Sequence, residues 1–155
     1  MAELQTVAAV LDLTRQAYTF LKKVKDADHI AKELCDHIAR LTSVLSGIQA
    51  VLKKRDEAGL SATKDEAAVV AERLRGSLKA CSIFLEDLKS RVGGFGVGGS
   101  TASLLNRFKT AARSSSISKR QTELEARISI LQTDLVILQL YVPLSYELVV
   151  LLTVR

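Results

Sequence analysis

Along four stretches of this chain apolar residues return every three or four positions, the spacing that gathers one stripe on an α-helix. The first stretch predicts a helix from about Ala2 to Val24, with a stripe of Leu4, Val7, Leu11, Tyr18 and Leu21 widened by Ala8, Val10 and Ala17. The second predicts a helix from about Asp28 to Lys54, and its seam of Leu34, Ile38, Leu41, Leu45, Ile48 and Leu52 alternates steps of four and three. Asp28 precedes it as a candidate N-cap, because a short carboxylate can accept from the unpaired amides of a first turn. After a turn at Ala58–Thr63, Thr63 and Glu66 have the spacing of a capping box, which predicts a third helix running to about Arg91. Its seam is Val70, Leu74, Leu78, Cys81, Leu85 and Leu88.

The pattern then breaks. Residues 93–100 read Gly-Gly-Phe-Gly-Val-Gly-Gly-Ser and hold five of the chain's eight glycines, so they predict a flexible link. A short helix is expected from Thr101 to about Ala112, broken by Ser114, Ser115 and Ser116. The last long helix is expected to begin near Ile117 or Ser118, with seam Leu124, Ile128, Leu131, Leu135, Leu138 and Val142. Pro143 should end or kink it, since proline lacks the amide hydrogen and crowds the preceding turn. No one-sided helix of this length is stable alone, so the seams must meet. The expected fold is all-α: an up-down bundle of four long helices plus a short connecting helix, at residues 1–142. Residues 143–155 form an apolar tail that the pattern allows as helix or strand.

Composition agrees with this class. Among 155 residues there is one proline, no tryptophan, 48% apolar and 25% charged residues, enough to fold a single core. Cys35 and Cys81 lie in apolar seams and read as small core residues of a reduced, intracellular protein. The start, MAELQTVAAVLDL, has no basic segment ahead of its apolar run, so no secretory signal is read there.

The sequence offers chemistry little foothold. The glycine run lacks both a preceding strand and the Gly-Lys-Ser/Thr of a phosphate-binding loop. His29, Cys35, Asp36 and His37 lack the paired short spacings of a zinc site. No nucleophile elbow or carboxylate pair stands out. No catalytic, cofactor-binding or metal-ligating residue is therefore assigned, no cofactor is expected, and the chain is read as non-enzymatic.

Charge changes the picture in one place. The net charge is only +5, but Arg107, Lys109, Arg113, Lys119 and Arg120 fall within fourteen residues that contain no acid. Such a patch suits anionic lipid or an acidic protein face. Phe108 is its one aromatic and no recognition motif accompanies it, so nucleic acid is not an expected partner. Ser114, Ser115, Ser116 and Ser118 are candidate phosphorylation sites, whose phosphates would offset these cations as an electrostatic switch. The other singular segment is the first helix, which from Leu4 to Leu13 carries one charge, Asp12. It is too short and too polar for a constitutive membrane span.

Taken together, MAELQTVAAVLDLTRQAYTFLKKV, KDADHIAKELCDHIARLTSVLSGIQAVL, LRGSLKACSIFLEDLKSRV and LLNRFKTAARSSSISKRQTELEARISILQTDLVILQLY resemble the HeLo-like N-terminal domains of fungal STAND proteins, the NOD-like receptors of fungi. SesA-type N-terminal domains are a close second. The resemblance spans about residues 1–142 and rests on diffuse helical patterns. It implies an effector domain of programmed cell death or heterokaryon incompatibility, cytoplasmic and recruited to membranes. It further implies oligomerisation with itself or a related helical domain, and membrane permeabilisation by the N-terminal helix. The mixed-lineage pseudokinase and plant receptors carry helical domains regarded as working in this way. The segment that would insert is Leu4, Val7, Ala8, Val10 and Leu11. The nucleotide-switch module that follows such domains is not within these residues, and the tail after Val142 has no counterpart in the resemblance. A helical interaction module without membrane activity is the alternative.

Overall fold

The computed structural model of the chain describes residues 2–57, 65–96, 98–113 and 115–153. These residues form five helices: α1 (Ala2–Val24), α2 (His29–Glu57), α3 (Asp65–Val92), α4 (Thr101–Ala112) and α5 (Ser115–Thr153). The fold is all-α, as the periodicity requires. The turn and capping box expected at Ala58–Thr63 lie outside the described residues.

Helix ends follow local chemistry. Asp28 caps α2: its Oδ1 accepts from the Ala31 amide at 3.0 Å. Ser100 caps α4 through the Ser103 amide at 3.2 Å. The end of α3 is a Schellman turn, in which the Gly94 amide donates to Lys89 O at 2.7 Å and the Gly93 amide to Ser90 O at 3.2 Å. That turn needs a left-handed residue, and Gly93 supplies it with φ of 76°, where a Cβ would be strained.

The seams meet in one core. Every expected seam residue of α3 is buried, as are Leu34, Ile38, Leu41, Leu45 and Ile48 of α2. In α1 the stripe is wider than periodicity suggested: Leu13, Phe20 and Val24 are buried beside Val7, Val10, Leu11, Ala17 and Leu21. Ala8, expected on the seam, is exposed, because the stripe turns toward Val7, Val10 and Leu11 as they reach between two neighbouring helices. α1 packs on α2 and α3, α5 packs on the same two, and α4 lies across α1 and α3 with a smaller contact to α5.

Side-chain links fix how these helices lie. Glu3 and Arg75 join α1 to α3 at one end through an ion pair of 2.8 Å. At the other end the ring of Phe20 meets Phe95, just past α3, with centroids 5.9 Å apart. Between α3 and α5, Arg73 pairs with Asp134 and Asp87 with Arg120. Between α2 and α5, His37 meets Gln121 at 3.3 Å, and Gly47 admits Leu135 so closely that an added methyl would fall 2.9 Å from Leu135 Cδ2.

α5 corrects the expectation twice. It begins at Ser115, so Ser115 and Ser116 belong to its first turn rather than to a loop. It also runs on to Thr153 with Pro143 inside it. Proline forfeits one backbone bond, to the carbonyl four residues before, and the remaining ladder carries the helix past it.

Candidate functional site: the first helix and the basic connector

α1 presents two faces. Val7, Val10 and Leu11 are buried in the core, Leu4 is half-buried near the N-terminus, and Ala8 and Ala9 face solvent. The five residues of the expected inserting segment therefore divide between core and surface, and three of them would have to leave the core to meet anything else. Burial of three such side chains opposes that release by about 1.5–3 kcal/mol for each larger residue. Along α3 the packing of α1 opens. A groove of about 740 Å³ runs between α1 and α3. Val10, Leu13 and Leu78 line its apolar part, and Asp12, Arg75, Lys79 and Glu86 supply charge around them. α1 thus packs on α2, α3 and α4 and leaves an open groove along α3.

The basic connector is divided as well. Arg107 turns inward from α4. Its Nε donates to Val92 O and its second terminal nitrogen to Gly94 O, both at 2.6 Å. Its guanidinium also lies 5.5 Å from the centre of the Phe20 ring, within reach of a cation–π attraction. Arg107 therefore closes the C-terminal end of α3, where helix carbonyls lack partners and the helix dipole favours a cation. Arg120 turns to Asp87 Oδ2 at 2.9 Å, an oxygen that also accepts from Arg91 at 2.9 Å. Lys109, Arg113 and Lys119 are exposed. Two of the five cations serve the fold and three face solvent. The side chains of Ser115, Ser116 and Ser118, like Ser114 itself, lie outside the described residues.

The link 93–100 is built rather than loose where it is described. Phe95 is buried against Phe20, between glycines that give composition no hint of an anchor. Sequence reasoning also passed over Asp134. Its side chain is fully buried on α5, and Oδ1 accepts from Arg73 Nε at 2.6 Å and from a second guanidinium nitrogen. Asp134 Oδ2 and the buried hydroxyl of Ser77 have no hydrogen-bond partner. The signal was available: Asp134 stands three residues after Leu131 and four before Leu138, on the apolar stripe itself.

The residues weighed for a metal are dispersed. Cys35 faces the core, His29 is exposed and reaches Glu33 at 3.0 Å, and His37 is half-buried beside Gln121. Among the described residues no group of three or more histidine, cysteine or acidic side chains is placed to hold a metal ion. Burial raises both thiols, Cys35 above its ordinary value and Cys81 up to about 12, against a smaller opposing pull from Arg127. Among the described residues no helix is long and apolar enough to cross a membrane. Comparison with protein-family models, curated proteins and solved structures gives no match.

Proposed function

We propose that this chain is a non-enzymatic signalling or effector domain of the kind found at the N-terminus of fungal NOD-like receptors, HeLo-like or SesA-like in type. In this reading it acts in programmed cell death or heterokaryon incompatibility by self-association and by targeting membranes through its N-terminal helix. The four long helices are taken as an up-down bundle arranged in the ring α1, α2, α5, α3. The paired links at Glu3–Arg75, Phe20–Phe95, Arg73–Asp134 and Arg120–Asp87 support that arrangement.

The observation that carries the reading is the position of α1. It is the least charged of the N-terminal elements, it is tied at its start by the single described ion pair Glu3–Arg75, and it borders an open groove. Release of such a helix would expose Val7, Val10 and Leu11 together, on a face able to enter the acyl boundary of a bilayer. The exposed Lys109, Arg113 and Lys119 would add attraction to anionic lipid at the connector.

Liposome leakage tests it. Vesicles containing anionic lipid should leak with the wild-type chain. Leakage should fall with Ala8→Glu, which is exposed and leaves the core intact, and with Leu4→Glu. It should rise with Arg75→Ala, which unties α1. Equal leakage by all forms, or none by any, would overturn the membrane mechanism.

A further inference from the structure

The groove between α1 and α3 changes sign along its length. The two helices run parallel, because Glu3 meets Arg75 near one end and Phe20 meets Phe95 near the other. Interpolated between those links, Thr6 stands level with Lys79, Ala9 with Ser82 and Asp12 with Glu86. Arg75 and Lys79 therefore make one half of the groove positive. Asp12 and Glu86, one from each wall, make the next stretch negative. Arg75 is neutralised by Glu3, but among the described residues no ion pair holds the exposed Lys79 or Glu86. Between those two stands Ile83, with 55% of its surface open to solvent. A lone exposed isoleucine is ordinary. This one stands midway between opposite charges, on the rim of a groove that Val10, Leu13 and Leu78 make apolar.

The alternation of sign narrows the occupant. A partner of one sign, such as nucleic acid or an anionic bilayer, would be drawn to the half at Lys79 and repelled by the half at Asp12 and Glu86. The groove is complementary to itself when reversed. If α3 of one copy lies antiparallel on α3 of another, centred between Ser82 and Ile83, Lys79 of each falls against Glu86 of the other. Ile83 of each then lies beside the axis, against Ser82 and Ile83 of the other. Lys89 falls by Gly76, where nothing lies within 4 Å of an added methyl. A parallel pair, with α3 of each copy over α1 of the other, would set Glu86 against Asp12, and like charges so opposed cost stability.

We propose that a second copy of this chain covers the α1–α3 groove, through an isologous antiparallel contact with Ile83 at its centre and two Lys79–Glu86 pairs around it. Such a surface, on which each residue of a pair meets the other twice, is the form a two-fold interface takes. The contact names the surface behind the self-association in the proposed function and rests on that part of it alone.

Sedimentation of the full chain over a range of concentrations reads the contact, with circular dichroism confirming that each variant is folded. The wild type should dimerise reversibly. Ile83→Glu should weaken the dimer at least about tenfold, the scale of a central interface residue. Val136→Glu, exposed on α5, should leave it unchanged. Lys79→Glu and Glu86→Lys should each weaken it by about three- to tenfold, since each reversal spoils two exposed pairs. An equimolar mixture of these two variants should dimerise like the wild type, because each then meets opposite charge in the other. A strict monomer, a dimer indifferent to Ile83→Glu, or a mixture no better than its components would overturn the proposal. Liposome leakage is read separately, so a chain that dimerises in this way and spares vesicles upholds the contact while refuting the membrane mechanism.

Discussion

Replacing Arg107 by alanine removes two guanidinium–carbonyl bonds of 2.6 Å, to Val92 and Gly94, and the cation over Phe20. A hydrogen bond to a charged group contributes about 1.5–3 kcal/mol when water is excluded. Arg107 is half-buried, so water can reach the freed carbonyls in the variant and each bond contributes less than that range, about 1 kcal/mol. The ring contact adds about 0.5–1 kcal/mol. The expected loss is roughly 2–3 kcal/mol, or a fall of about 5–10 °C in Tm for a domain of this size. Lys109→Ala, two positions away and exposed, should stay within about 0.5 kcal/mol of wild type. Arg107→Lys should fall between, since an ammonium cannot reproduce the planar fork that reaches both carbonyls. Urea denaturation followed by far-UV circular dichroism gives the differences directly. Equal stability of the Arg107→Ala and Lys109→Ala variants would refute the structural role and return Arg107 to the surface patch.

Arg73→Ala should destabilise more than Asp134→Ala, by roughly 3–5 kcal/mol against less than half of that, because it strands a carboxylate with no exposure whereas Arg73 itself is 41% exposed and can turn to water; denaturation of both single variants checks the order. Gly76→Ala should stabilise α3 by about 0.5–1 kcal/mol, since an added methyl there meets nothing within 4 Å; Gly93→Ala should cost about 1 kcal/mol, as its φ of 76° is left-handed, and thermal melts should move in opposite directions for the two. Both thiols should resist a neutral-pH disulfide reagent in the folded chain and react together on unfolding. Because burial raises Cys81 from 9.0 to about 12, its contribution to stability is complete below about pH 9 and is lost as pH rises toward 12; a Cys81→Ala variant should show a shallower alkaline loss of stability.

How much of this was legible beforehand depends on the range of the interaction. The seams of α2 and α3 followed from spacing alone, because a residue on a long helix is buried or exposed by its angle and little else. Asp28 as a cap was legible for the same local reason. Phe95 was not, since its burial depends on Phe20, seventy-five positions earlier, and its own neighbours are glycines. Arg107 read as one of five surface cations because nothing local shows that a helix end without partners lies beside it. Asp134 broke an apolar stripe, and the break had meaning only once Arg73, sixty-one residues away, stood opposite. Pro143 worked in the other sense: the local rule allowed an end or a kink there, and α5 does not end. The division of the α1 segment between buried Val7, Val10 and Leu11 and exposed Ala8 likewise depends on where α2 and α3 fall, which periodicity does not contain.

The inward turn of Arg107 sets a cost on using it to hold an anion. An anion held by Lys109, Arg113 and Lys119 binds the chain as folded and must raise its melting temperature in proportion to occupancy. An anion that recruits Arg107 as well has to draw it off Val92 and Gly94, so the cost of that opening weakens its binding and it raises the melting temperature less at the same concentration. Titrating inorganic phosphate against the melts of the wild type and Arg107→Ala thus tells whether Arg107 takes part: an equal rise in both leaves the anion to Lys109, Arg113 and Lys119.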